Sequence, residues 1–186
     1  RYPNIKWYLD ALGMDFKDRE GPLQVALIGA GWYGKSDLFR LIQVADVEVV
    51  GLCDPDKNML KAAGDMVATR QKSGKIPALY EDYKELLAKE KPEFVLIGSP
   101  DHWHALQTIA CVKAGAHVLV EKPTGHTIDE SRAMVREAKA AGVVVQVGFC
   151  ILLIVVRWFL ILEIRELLRN LQIWILELVL VVWEMY

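Results

Sequence analysis

Leu23-Gln24-Val25-Ala26-Leu27-Ile28-Gly29-Ala30-Gly31-Trp32-Tyr33-Gly34 is the stretch on which the fold turns. A short apolar run ends in glycines spaced G-x-G-x-x-G, and residues 35–44 then take helical spacing. Where a strand passes directly into a helix, Gly29 permits the tight turn, Gly31 lets a pyrophosphate approach the backbone, and Gly34 lets helix and strand pack closely. The positive end of the helix then meets the phosphates, with Trp32 and Tyr33 between the glycines at the same place. With 13 glycines in 186 residues the spacing alone is weak, and an ordinary glycine turn is the alternative. The strand before and the helix after favour dinucleotide binding.

Asp54 closes a second β-rich run, 47–53, and lies 20 residues beyond Gly34. That is the offset at which a carboxylate receives the ribose hydroxyls of a dinucleotide. Its charge would repel a 2′-phosphate, so the expected cofactor is NAD and not NADP. The alternative for Asp54-Pro55-Asp56 is turn formation and helix capping.

Outward from these motifs, 23–148 alternates short β-branched runs with longer amphipathic stretches, the pattern of a parallel sheet with crossover helices. The predicted strands are 24–28, 47–53, 94–98, 117–120 and 143–147, and the predicted helices lie around 35–44, 57–71, 80–89, 102–114 and 128–141. Thr127-Ile128-Asp129-Glu130 has the form of a capping box, in which hydroxyl and carboxylate satisfy backbone donors of the first turn. The fold class is α/β, a doubly wound parallel-sheet Rossmann domain. Residues 1–22 form an N-terminal extension, with Trp7, Tyr8 and Leu9 on a possible short helix. Residues 149–186 are an atypical apolar tail.

Composition narrows the function classes. A formal net charge of −2 leaves no basic field for a phosphate backbone, so nucleic acid is not an expected partner. Cys53, Cys111 and Cys150 are odd in number and sit in apolar stretches, which points to reduced thiols and a cytoplasmic compartment. The chain has no leader-like beginning but also no initiator Met, which leaves export open. A membrane span needs about 20 mostly apolar residues without central charges. Arg157, Glu163, Arg165, Glu166, Arg169, Glu177 and Glu184 divide the tail into shorter runs, so a span is not expected. A tail this apolar calls for collapse onto the domain or association, and a homo-oligomer is the expected state.

Two further segments carry chemistry. Ser99-Pro100-Asp101-His102-Trp103-His104 follows the strand 94–98, at the edge where open α/β sheets bind ligands. The alternative is that Asp101 caps the next helix, Trp103 packs in the core and the histidines are merely exposed; no other group supports metal binding. Glu121-Lys122-Pro123 ends the strand 117–120 on the same edge. A lysine there can exchange a proton with a hydroxyl being oxidised, although a lysine taken alone is more often a solvated charge.

Together the glycine loop, Asp54, the 99–104 segment and the Glu121-Lys122-Pro123 triplet resemble the glucose-fructose oxidoreductase and inositol dehydrogenase group, Gfo/Idh/MocA, over 25–148. The resemblance implies a two-domain NAD(H)-dependent oxidoreductase transferring hydride between nicotinamide and a hydroxyl of a sugar, polyol or glycoside. It implies that Lys122 touches substrate and nicotinamide, that Ser99, Pro100 and His104 lie near the cofactor, and that Glu121 belongs to the same cofactor edge. Family members are longer, and 163–170 and 178–183 resemble the first helix and a following strand of their second domain. The tail therefore stands where a substrate-binding α+β domain begins. Other readings are an NAD-dependent glycosidase of the same family and a non-catalytic dinucleotide-binding fragment.

Overall fold

The computed structural model describes residues 20–148. The expectations for 1–19 and for 149–186, including Cys150, the helix at 163–170 and the strand at 178–183, lie outside the described residues. In chain order the elements are β1 (Leu23–Ile28), α1 (Trp32–Val44), β2 (Val47–Cys53), α2 (Lys57–Ala68), β3 (Ala78–Tyr80), α3 (Tyr83–Glu90), β4 (Phe94–Ile97), α4 (Asp101–Lys113), β5 (His117–Val120), α5 (Ile128–Ala141) and β6 (Val145–Val147). The strands form one sheet in the order β3-β2-β1-β4-β5-β6, every neighbouring pair parallel. The chain runs outward from β1 in one direction and, from β4, in the other. The reversal between β1 and β4 is the switch point of a doubly wound sheet, as the sequence predicts.

Strand periodicity explains why both faces are covered. Successive side chains of β1 point to opposite faces. Val25 and Leu27 join Leu38 of α1 and Leu60 and Val67 of α2 in one buried cluster. Ala26 and Ile28 join Leu86 of α3, Val112 of α4 and Met134 of α5 in the other. A parallel strand buried on both faces must be apolar almost throughout, which is why β1 and β4 read as runs and not as alternations. Each fully buried leucine or isoleucine here contributes about 1.5–3 kcal/mol.

The elements depart from the predicted boundaries where local chemistry intervenes. The strand β3 was not predicted; three residues after Pro77 are too few to show an alternation. The helix expected from Tyr80 starts instead at Tyr83, where Asp82 accepts from Lys84 N at 2.8 Å. Helix α1 begins at Trp32, so Trp32, Tyr33 and Gly34 form its first turn. Helix α2 stops at Ala68, and the buried Gln71 beyond it accepts from Val49 N at 2.9 Å, close to where the β1–β2 register shifts. The capping box is present: Thr127 Oγ1 accepts from Glu130 N at 3.2 Å and Glu130 Oε2 from Thr127 N at 3.0 Å. Among the described residues no helix is long and apolar enough to cross a membrane.

Candidate functional site

Sheet register gathers the candidate residues on one edge. Ile28 pairs with Cys53 on one side and with Ile97 on the other, and Ile97 pairs with Val120. The residues that follow these strand ends therefore share the carboxyl edge. The ladder continues one residue further, with Gly29 N donating to Cys53 O at 2.8 Å, Gly98 N to Ile28 O at 2.8 Å and Glu121 N to Ile97 O at 2.9 Å.

The glycines of the loop have different surroundings. Gly29 has a φ of +90°, and a Cβ on it would lie 2.5 Å from Ser99 N. A Cβ on Gly34 would lie 2.2 Å from Gly29 O, and one on Gly98 would lie 2.7 Å from Gly34 Cα. Strand β1, helix α1 and the end of β4 thus meet through backbone with no room for a side chain. Gly31 is the reverse case, since a Cβ there would meet nothing within 4 Å. It is also the N-cap of α1, with no side-chain cap hydrogen bond. Helices α2, α3 and α5 are capped by Asp56, Asp82 and Thr127, whereas α1 and α4, which start at the switch point, have no side-chain cap. Open space before uncapped first-turn N–H groups suits a pyrophosphate.

Asp54 is tied to that loop. Its Oδ2 accepts from Ala30 N at 2.8 Å and its Oδ1 from Asp56 N at 2.9 Å. Asp56, not Asp54, caps α2, so the turn and the carboxylate facing the loop coexist. Each Asp54 oxygen retains a lone pair for a ribose hydroxyl. The donor set and the space beside Gly31 fit NAD.

Beyond β4, Ser99 Oγ donates to Gln107 Oε1 at 2.5 Å, and Pro100 is the N-cap residue of α4. His104 is 1% exposed, with Nδ1 2.7 Å from Pro123 O and Nε2 2.9 Å from Ser99 O. Trp103 is 43% exposed, against the alternative that placed it in the core and both histidines outside. The buried stripe of α4 runs through residues 104, 105, 108, 111 and 112, and 103 falls off it.

At the end of β5, Lys122 Nζ lies 5.9 Å from the Tyr33 ring centroid, a cation–π contact reaching back to the glycine loop. Trp32, 78% exposed, meets Tyr33 edge-on with centroids 5.7 Å apart. The Lys122–Pro123 peptide is cis. Glu121 Oε2 accepts from Lys122 N at 3.1 Å, and its carboxylate lies against Asp37 of α1. Burial, then the charge of Glu121 and a hydrogen bond with it, push the Asp37 carboxyl up to about 6, against the opposing pull of Arg40. Burial, with the charges of Asp54 and Asp82, pushes the Cys53 thiol up to about 12, which removes it as a nucleophile. Among the described residues no group of three or more His, Cys, Asp or Glu could hold a metal ion.

Three residues at this edge escape a reading of the sequence. Gly98 had a signal, a glycine directly after an apolar strand, but its partner Gly34 is visible only once the sheet is assembled. Asp37 and Gln107 are polar residues on the inward sides of α1 and α4, and their partners Glu121 and Ser99 lie on other segments.

The fold and this edge define a dinucleotide-binding Rossmann domain. The oxidoreductase family with an NAD-binding Rossmann fold, Gfo/Idh/MocA, matches residues 23–149, and the chain belongs to that family. It is 32% identical over 112 residues to glycosyl hydrolase family 109 protein 1 of Akkermansia muciniphila, covering 58% of this chain and 23% of that one. It is 32% identical over 118 residues to D-apiose dehydrogenase of Paraburkholderia graminis, covering 63% and 30%. The WlbA dehydrogenase of Chromobacterium violaceum, solved with NADH and UDP-GlcNAcA, superposes with a TM-score of 0.62 at 26% identity, covering 69% of this chain and 35% of that one. The chain thus spans between 23% and 35% of the length of these proteins.

Proposed function

We propose that this chain is the cofactor-binding part of an NAD-dependent dehydrogenase that transfers hydride between nicotinamide and a hydroxyl-bearing carbon of a sugar, polyol or glycoside. The observation that carries this reading is the meeting of the glycine loop, Asp54, the 99–104 segment and Lys122 on one sheet edge, with Lys122 reaching across to Tyr33. Gly29, Gly31, Trp32, Tyr33 and Gly34 form the pyrophosphate end, and Asp54 takes the ribose hydroxyls. Ser99, Pro100, His104 and Glu121 border the nicotinamide half.

Bound NAD supplies the hydride acceptor. With NAD bound, Lys122 Nζ as the free amine would take the proton of the substrate hydroxyl, and the edge excludes side chains where the cofactor must approach the backbone. In this reading 23–148 is the cofactor domain, 1–22 leads into it, and 149–186 stands at the start of a substrate domain. The protein works as a homo-oligomer in the cytoplasm.

Isothermal titration of the chain and of Asp54→Ala with NAD and NADP tests the reading. Wild type should bind NAD more tightly than NADP, and the variant should lose that preference. Failure of wild type to bind either nucleotide would overturn it. The family 109 glycosyl hydrolase relative favours a second reading, a glycosidase that uses NAD without net redox change. Turnover of a nitrophenyl glycoside without NADH release would select that one.

A further inference from the structure

Both ring nitrogens of His104 face backbone carbonyl oxygens, Nδ1 at 2.7 Å from Pro123 O and Nε2 at 2.9 Å from Ser99 O. A carbonyl oxygen accepts and never donates, whereas a neutral imidazole carries one N–H and one lone pair. A neutral ring would therefore satisfy one carbonyl and set its lone pair against the other. The side chain is 1% exposed, so bulk water does not come between them. Only a ring with a proton on each nitrogen satisfies both contacts, and charge-assisted donors make the stronger hydrogen bonds.

The two carbonyls belong to different parts of the edge. Ser99 follows β4, packs its backbone against Gly29, and donates through Oγ to Gln107. Pro123 follows Lys122 directly, has no N–H of its own, and offers only its carbonyl for anchorage. Lys122 Nζ in turn lies 5.9 Å from the Tyr33 ring. The contacts close a circuit from the glycine loop through Ser99, His104 and Pro123 to Lys122 and back to the loop.

We propose that His104 is a positioning residue which, by donating from both ring nitrogens to Ser99 O and Pro123 O, sets the placement of Lys122 at the nicotinamide end of the site. This rests on the NAD-dependent reading above. The charged or titratable side chains on the segments around the ring are Asp101 and His102 in the first turn of α4, Glu121 and Lys122 after β5, His126 in the following loop, and Asp129 and Glu130 in the first turn of α5. Asp101 already engages His102 and His126, with Asp101 oxygens 3.7 Å and 3.5 Å from their Nδ1 atoms.

Two measurements on the full chain test the proposal. In nitrogen-15 NMR of the wild-type imidazoles near neutral pH, both His104 nitrogens should carry protons; one protonated and one bare nitrogen would overturn it. Calorimetric titration of wild type, His104→Gln, Lys122→Met and the double variant should use both NAD and ADP-ribose, which lacks nicotinamide. His104→Gln, whose amide can donate to only one of the two carbonyls at their spacing, should weaken NAD by about tenfold and leave ADP-ribose unchanged. The double variant should lose no more than Lys122→Met alone. Equal weakening of both ligands, or of neither, overturns the positioning role while wild-type NAD binding leaves the functional reading standing. If wild type binds neither ligand, the functional reading fails, and the NMR result still decides the double donation.

Discussion

Two loops leave the switch point of this sheet, and they are built in opposite ways. The loop 29–34 is defined by atoms that are missing: three contacts, at Gly29, Gly34 and Gly98, would each bring a Cβ within 2.7 Å of backbone. The segment 99–104 is defined by atoms that reach, with Ser99 Oγ spanning 8 positions to Gln107 and His104 spanning 19 to Pro123. A site made by backbone approach fails abruptly when anything is added. A site made by side-chain donors fails by degrees as donors are withdrawn.

The largest effect that separates the two lies within the glycine loop itself. Gly34→Ala places a Cβ 2.2 Å from Gly29 O, a backbone atom that cannot turn aside, and should lower stability by about 3 kcal/mol or more in a urea titration. Gly31→Ala meets open space at an ordinary backbone φ of −65° and should change stability by less than about 1 kcal/mol while weakening NAD about tenfold. Equal stability losses would mean that the loop is no more than a tight turn. Equal binding losses with stability intact would mean that Gly34 also serves the ligand and not only the packing.

The contrast also explains what the sequence discloses. The glycine spacing, the apolar runs of β1 and β4 and the Thr127–Glu130 box are local patterns whose cause lies within a few residues of the signal, and each appears in the fold. Strand β3 is too short to show a period and is recognised by its pairing with β2 alone. The carboxyl edge was legible because parallel topology forces strand ends together. The contacts across it were not: nothing near His104 in the sequence indicates Pro123, and nothing near Asp37 indicates Glu121. His104 reads in sequence as a residue near the cofactor, and the fold adds what the sequence does not show, a buried ring between two backbone segments.

A smaller effect tests the carboxyl pair that, beside the Lys122–Tyr33 contact, joins α1 to the end of β5. Asp37 has a folded-state value raised from 3.8 to about 6, chiefly by burial and then by Glu121. The folded state therefore holds this proton more tightly than the unfolded chain does. Its stabilising contribution is complete below pH 3.8 and is lost as pH rises through about 6. Asp37→Asn keeps the shape without the charge, so it should gain about 1 kcal/mol at neutral pH after solvent screening. The gain should vanish in acid. Denaturation midpoints of both proteins across this range measure it, and a pH-independent difference would mean that folding leaves the Asp37 carboxyl unshifted.

The smallest effect probes whether the donor network of the second loop is complete. Thr108 lies on the buried stripe of α4, one turn after His104, and its Oγ1 is buried with no hydrogen-bond partner among the described residues. An unpaired buried hydroxyl costs about 1–3 kcal/mol relative to a paired one, while valine offers a similar shape and similar helix propensity. Thr108→Val should therefore raise stability by about 0.5–1 kcal/mol with an unchanged urea m-value, and Thr108→Ala should lower it by opening a cavity. A valine variant less stable than wild type would mean that the hydroxyl is bonded. The side-chain construction of the segment would then extend one turn further along α4 than Ser99, Gln107 and His104 define.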